Sequence, residues 1–234
     1  VTCSHIIPQN GGVSTPPKYF PFIHSELNKD RVESGRFNII YADPPWRYKN
    51  WSMAELAQRG EKWARRNGRS PYDVMTSADI AAMPVVDMAA RDSILLMWVT
   101  DPKLEEAFAV IRQWGFTYKT VGFYWVKTNP SGVGFHFGLG YHTRANPEQC
   151  LLATRGRGLR RVDNAVPKLI VAPVGEHSQK PPETRERIMR LYGAVPRLEL
   201  FARQRAAGFA AWGNQVPGGN DVELKTSVTE NERN

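Results

Sequence analysis

The stretch that most narrows the possible folds is "RFNIIYA", residues 36–42, followed at once by Asp43-Pro44-Pro45-Trp46. A short run rich in β-branched and aromatic residues reads as a buried strand. Two consecutive prolines cannot extend it, because neither has an N–H to give to a ladder. The strand therefore stops at Ala42 and delivers a carboxylate at its carboxyl end. Similar apolar runs recur at "DSILLMWVT", "TYKTVGFYWVK", "EQCLLAT", "PKLIVAPV" and "RLELFAR". Helical patterns separate them. "TSADIAAM" carries Thr76 and Asp79 at capping-box spacing. The next has Asp101 as N-cap, Pro102 in the first turn, Leu104, Phe108 and Ile111 on one face and Gly115 as its stop. Pro181 and Pro182 open a third, with Ile188 and Leu191 inward. Strands alternating with helices predict a doubly wound α/β sheet, with Trp98, Trp114 and Trp125 in its core.

Residues 37–216 hold this pattern and form the predicted domain. Residues 1–36 read as an irregular N-terminal extension able to dock through Tyr19, Phe20 and Phe22. Residues 217–234 are polar and read as a mobile tail, because they have too little apolar surface to offset the entropy of ordering. Residues 52–73 carry Arg59, Lys62, Arg65, Arg66 and Arg69 between glycines and read as a long functional loop. The formal net charge of +8 recurs along the chain and favours an anionic partner such as nucleic acid. Cys3 and Cys150 are far apart, without metal-type spacing, so neither a disulfide framework nor a metal site is expected. A reducing cytoplasm, bacterial or phage-infected, is the expected setting. No apolar stretch approaches the roughly 18 residues of a membrane span.

In open α/β sheets, ligands sit outside the carboxyl ends of the strands. Three polar clusters fall there: Asp43 to Trp46, His177 to Lys180, and Glu199 to Arg203 together with Trp212 to Gln215. A carboxylate from Asp43 and the backbone carbonyl of Pro44 are two acceptors for the N–H bonds of an exocyclic amine on a nucleobase, and they would draw electron density back onto its nitrogen. Pro45 biases Pro44 toward an extended geometry, and the rings of Trp46, Tyr48 or Trp51 would stack on the planar base. Taken alone, the letters also fit a turn in which Asp43 caps and Trp46 fills the core.

The company of this motif is more specific. Asp-Pro-Pro-Trp at 43–46, "LLMWVT" at 95–100, "GLGYHTRANPEQCLLATRG" at 138–156, "HSQKP" at 177–181, "LELFAR" at 198–203 and "WGNQ" at 212–215 occur in order. Together they resemble the MT-A70-like family of S-adenosylmethionine-dependent N6-adenine methyltransferases. The resemblance implies a Rossmann-like methyltransferase fold, a mostly parallel sheet flanked by helices, with the catalytic motif before the cofactor motifs, a permuted order. It implies catalytic roles for Asp43, Pro44, Pro45 and Trp46, and S-adenosylmethionine as cofactor. Asp43 would also lie near the methionine part of the cofactor, and Lys180 would face its carboxylate. Arg203, Asn214 and Gln215 would bind its ribose and adenine edges, and Glu199 would bond ribose or orient neighbours. Phe209 stands where many relatives would have Trp. The target adenine would be flipped out or unpaired.

Two basic clusters suit phosphate contact: Arg65 and Arg66 in the long loop, and Arg155, Arg157, Arg160 and Arg161 after "LLAT". The alternative for both is a solvated charged surface. "GVGFHFGLGYH" lacks dinucleotide-loop spacing and reads as a substrate-side loop, with His136 and His142 either contacting nucleic acid or ordering the loop. The leading reading is an adenine methyltransferase acting on DNA as a monomer or homodimer, without metal. An RNA methyltransferase and a catalytically silent nucleic-acid-binding partner subunit are the alternatives.

Overall fold

The computed structural model describes residues 36–48, 74–138, 140, 142–175 and 179–224. Along these the order is β1 (Phe37–Ala42), α1 (Ser77–Ala81), α2 (Val85–Met88), β2 (Ala89–Val99), a 3₁₀ turn (Asp101–Lys103), α3 (Leu104–Gln113), β3 (Thr117–Thr128), β4 (Glu148–Arg155), β5 (Leu169–Pro173), α4 (Glu183–Tyr192), β6 (Arg197–Leu200) and β7 (Ala210–Trp212). The seven strands form one sheet in the order β5-β3-β4-β2-β1-β6-β7. β1 runs parallel to β2 and β6, β6 to β7, and β3 to β5. Only β4 is reversed, antiparallel to both β2 and β3. The mostly parallel, helix-flanked sheet is the Rossmann-like architecture expected from the sequence.

Both faces of the sheet are covered, which is why the central strands read as continuous apolar runs rather than alternating ones. On one face Ile40, Ala42, Leu95 and Met97 pack with Ile80, Val110, Ile111 and Trp114. On the other, Ile39, Tyr41, Leu96, Trp98, Phe123 and Trp125 pack with Ile188 and Tyr192 of α4. Trp98, Trp114 and Trp125 are fully buried, as expected. Each indole N–H has an acceptor: the Tyr41 hydroxyl, the Ile80 carbonyl and the Ala172 carbonyl respectively. The Thr76 capping box is present, with both reciprocal bonds to Asp79. Gly115 ends its helix in a left-handed conformation, φ +78°.

Three expectations change. Asp101 does not cap the helix; it lies in the 3₁₀ turn that feeds α3, and its carboxylate accepts from the Gln149 amide. The short strand β7 was not anticipated, because "AAW" lacks the β-branched character that marks a strand. Residues 217–224, expected to belong to a mobile tail, are docked. Asp221 Oδ2 accepts from the Ala211 N–H, Asp221 N–H donates to the Ala211 carbonyl, and Asn220 Oδ1 accepts from the Gly213 N–H. Arg205 holds Asp221 and donates to the Pro217 and Gly219 carbonyls, while Val222 and Leu224 pack on the core. The polar composition hid a strap whose ordering is driven by hydrogen bonds to an edge strand. The extension's Tyr19, Phe20 and Phe22, the long basic loop and residues 225–234 lie outside the described residues.

Asp221→Ala removes the acceptor of a partly buried strand N–H as well as the Arg205 pair. It is expected to destabilise the fold by about 1–3 kcal/mol, lowering Tm by roughly 2–10 °C for a chain of this size. Thermal denaturation followed by circular dichroism checks it, and an unchanged Tm means the strap contributes nothing to the sheet.

Candidate active site

β1, β6 and β7 are adjacent and parallel, so their carboxyl ends open on one edge of the sheet. Asp43 follows β1, Phe201 and Arg203 follow β6, and Asn214 and Gln215 follow β7. They line one cleft: Asp43, Pro44, Pro45, Met75, Phe201, Arg203, Trp212, Asn214 and Gln215. Phe201 takes a left-handed φ of +62°, unusual for a residue with a Cβ and characteristic of strained functional corners. Its ring meets Trp212 edge to face, centroids 5.8 Å apart. Behind them the backbone is tightly nested. The Ala202 N–H bonds the Trp212 carbonyl at 2.9 Å, and a Cβ on Gly213 would collide with the Ala202 backbone.

The proline pair is pinned from below. The Met75 N–H donates to the Pro45 carbonyl and the Arg47 N–H to the Met75 carbonyl. The Pro44 carbonyl accepts from the Trp46 N–H at 2.8 Å, so one of its two lone pairs is already used. Trp46 is buried and donates its indole N–H to the Trp98 carbonyl, 3.2 Å. This corrects its assignment as a stacking ring: it anchors the motif from within the core and does not face the cleft. Tyr48 is exposed at the end of β2, its hydroxyl bonded to Thr100 and its ring beneath the Lys103 ammonium.

Asp43 is held by Lys180, whose Nζ lies 2.9 and 3.0 Å from the two carboxylate oxygens. The same Nζ is 3.2 Å from Glu148, which also pairs with Lys127. Glu148 opens β4 and Lys127 lies near the end of β3, so the reversed direction of β4 brings an acid from a strand start to the edge of strand ends. This four-charge row was not anticipated. Its residues were visible in "WVK" and "NPEQCLL", but nothing in the sequence discloses that β4 runs backwards. Burial pushes the Asp43 carboxyl above its ordinary value, with Glu148 adding to the rise and Lys180 and Arg203 opposing it. Burial would also raise Glu148, but Lys180 and Lys127 outweigh it and hold Glu148 below the usual range. Burial disfavours the Lys180 ammonium, yet its two carboxylates more than compensate and raise it. Asp43 still keeps 27 % of its side chain exposed, so it can meet a ligand.

Other expected site residues are placed elsewhere. Glu199 lies buried inside β6 with both oxygens taken by the Arg185 fork at 2.6 and 2.7 Å. It is outside the cleft, and this corrects its expected bond to ribose. Because β4 is reversed, the segment with Arg155, Arg157, Arg160 and Arg161 follows its end at the opposite edge of the sheet, about 20 Å or more of strand away. Arg155 donates to the Val86 and Ala89 carbonyls, which corrects its reading as a phosphate contact. Arg157 pairs with Asp92, and Arg160 is exposed at that far edge. His142 is exposed on the β3–β4 connection. Trp51, Arg65, Arg66 and His177 lie outside the described residues.

The Lys180 bridge generates a signed prediction. Glu148, with its depressed pKa, contributes stability in full above its ordinary value near 4.5, lost as pH falls through the lower folded value. Lys180→Met leaves two carboxylates facing one another, which costs about 3 kcal/mol at neutral pH. Their folded pKa values then rise, so the deficit relative to wild type shrinks as pH is lowered from about 8 to 5. Chemical denaturation at several pH values checks this; a deficit that is constant with pH removes the bridge from the account.

Residues 37–215 match the sequence profile of the MT-A70 family. The chain is 30% identical over 205 residues to the type II methyltransferase M.MunI of a Mycoplasma species, covering 82% of each. It is 32% identical over 196 residues to the mouse N(6)-adenine-specific methyltransferase METTL4, covering 77% of this chain and 37% of that one. To the human N(6)-adenosine-methyltransferase catalytic subunit METTL3 it is 27% identical over 214 residues, covering 89% and 33%. The chain thus spans roughly a third of those two animal proteins and most of the Mycoplasma one. A cleft lined by Asp43, Pro44 and Pro45 of the Asp-Pro-Pro-Trp motif, a Rossmann-like sheet and a profile match over most of its length make this chain a member of the MT-A70 family of N6-adenine methyltransferases.

Proposed function

We propose that the chain methylates the N6 amine of adenine in DNA, using S-adenosylmethionine, on a base that is flipped out or unpaired. The observation that carries the reading is the cleft itself: an acid fixed by a buried lysine at one end, and ring walls with amide and guanidinium groups at the other. That donor set fits the cofactor. Asn214 and Gln215 offer donors and acceptors to an adenine edge and ribose, Arg203 offers a planar fork, and Phe201 and Trp212 offer apolar faces. Lys180 already serves two carboxylates, so a cofactor carboxylate at its ammonium would compete with Asp43 and Glu148. Its first role is as counter-ion to Asp43. When bound, the cofactor supplies a sulfonium-activated methyl group.

Asp43 supplies the acceptor that orients N6. With the free lone pair of the Pro44 carbonyl it takes the two N–H bonds of the amine, leaving nitrogen density for attack. A partly buried carboxylate of raised pKa is also a better recipient for the proton that N6 must lose once it is alkylated. Alignment provides most of the acceleration. We read the shared extent with the type II methyltransferase as favouring DNA. RNA is the second reading, and it rests on the likeness to a protein named an N(6)-adenosine-methyltransferase.

A labelled-methyl assay on single- and double-stranded DNA and RNA, with the product nucleoside identified by mass, tests the reading. N6-methyladenine in DNA is the expected product, and label only in RNA transfers the assignment to the second reading. Asp43→Ala is expected to lower kcat by about 10²–10⁴-fold with the fold retained; turnover near wild type rules out its role. The acid limb of kcat/KM against pH is expected above the ordinary aspartate value of 3.8, because Asp43 must be ionised to accept. Glu148→Gln removes a charge that raises Asp43, so the limb moves to lower pH; a limb that stays or moves up contradicts the assignment.

A further inference from the structure

The connection between β3 and β4 exposes large apolar side chains on a tightly fixed backbone. Val133, Phe135 and Phe137 are 76 %, 58 % and 54 % exposed. Their frame is pinned at three levels. At the root, the Asn146 side chain accepts from the Lys127 N–H and donates to the Lys127 and His136 carbonyls. Along the first arm, Phe135 bridges Thr128, the His136 N–H donates to the Lys127 carbonyl, and Asn129 Nδ2 donates to the Val133 carbonyl. Along the second, Gly138 bridges Ala145, and the Arg144 guanidinium donates to the Phe137 and Gly138 carbonyls. Such bonding holds two rings out in water, where unassisted chain collapse would hide them, and exposed apolar groups in a fixed frame mark a contact surface.

The surroundings choose the partner. The arm is rooted in Lys127 and Glu148, and Glu148 is joined through Lys180 to Asp43, so the rings stand on the edge of the sheet where Asp43 lies. No Asp or Glu occurs in the connection itself, residues 129–147, while Arg144 lies on the arm and Lys127 at its root. An apolar partner surface of anionic character fits such a stretch, and a nucleic-acid strand presents aromatic base faces on a phosphate chain. Resting on the functional reading above, we infer that Phe135 and Phe137 form a stacking platform for the bases beside the target adenine, on the arm that β3 and β4 raise next to Asp43. Stacking is indifferent to which base is offered, so the platform supplies affinity and strand placement rather than sequence choice.

The test measures binding of fluorescent 20-nucleotide single-stranded DNA to the full chain across a salt series, beside methyl transfer to the same strand. Phe135→Ala and Phe137→Ala are expected to weaken binding roughly 5–100-fold each, with the slope of log affinity against log salt unchanged, since no phosphate contact is lost. Phe137→Trp is expected to bind like wild type. On a strand with abasic sites beside the adenine, wild type and the alanine variants should bind alike. Alanine variants that bind the normal strand as tightly as wild type overturn the platform while the functional reading stands. An equal loss on normal and abasic strands overturns it as well, as does a changed sedimenting mass with unchanged DNA affinity, which would make the rings a contact between copies. A wild-type chain that neither binds nor methylates DNA or RNA overturns the functional reading and the platform together.

Discussion

One ammonium group organises the working edge of this protein. Lys180 sits between Asp43 and Glu148, within 3.2 Å of both, and its position decides what Asp43 can be. An aspartate pressed against buried walls without a cation would take up a proton and lose its use as an acceptor. An aspartate gripped by a cation of its own would be a poor acceptor for anything else. Sharing the lysine with a second carboxylate lies between these limits. Lys180 and Arg203 favour the charged form of Asp43, yet its pKa remains above the ordinary value because burial outweighs them and the Glu148 charge adds to the rise. Lys127 closes the row, so two cations and two anions balance on an edge that would otherwise carry an expensive net charge.

That row exists because one strand of seven runs the wrong way. In a wholly parallel sheet the start of β4 would sit at the far edge, and Glu148 would be a strand length from Asp43. Reversal exchanges the two ends: it delivers Glu148 to the cleft side and carries the arginines of the following segment away from it. The same reversal leaves β3 and β4 to be joined by a local connection that projects from the cleft edge, where a parallel pair would need a crossover to the other edge. Electrostatics of the acid and presentation of the exposed rings are therefore two consequences of a single topological choice.

Much of this was legible in the sequence, and the boundary has a physical meaning. The apolar runs of β1 to β6, the Thr76 capping box and the Gly115 stop were readable because they depend on local periodicity and local backbone chemistry. The motif residues Asp43, Arg203, Asn214 and Gln215 do converge on one cleft, because parallel strands present all their carboxyl ends together. What failed depended on strand direction or on long-range pairing. Glu199 looked available at the end of a strand until Arg185, on a helix 14 residues earlier, is seen to occupy both its oxygens. Trp46 looked like a stacking ring until its indole is found under the Trp98 carbonyl. The strap at 217–224 looked solvated because its order derives from bonds to β7, an element too short to read.

Arginine usage shows why a basic composition is a poor guide to a nucleic-acid footprint. Arg155 spends its guanidinium on two carbonyls, Arg185 on Glu199, Arg187 on Glu183 and the Pro167 and Leu169 carbonyls, and Arg205 on the strap. Each is an internal fastener that happens to be charged, and the +8 balance counts it equally with any residue facing solvent. Affinity for a polyanion follows the number of phosphates actually neutralised, the quantity that the salt slope reports. Among the described residues, cations committed in this way leave more of the hold on a strand to contacts that salt does not screen. Exposed rings beside the acid are such contacts, which is why their fixed display on the arm carries more functional meaning than the net charge does.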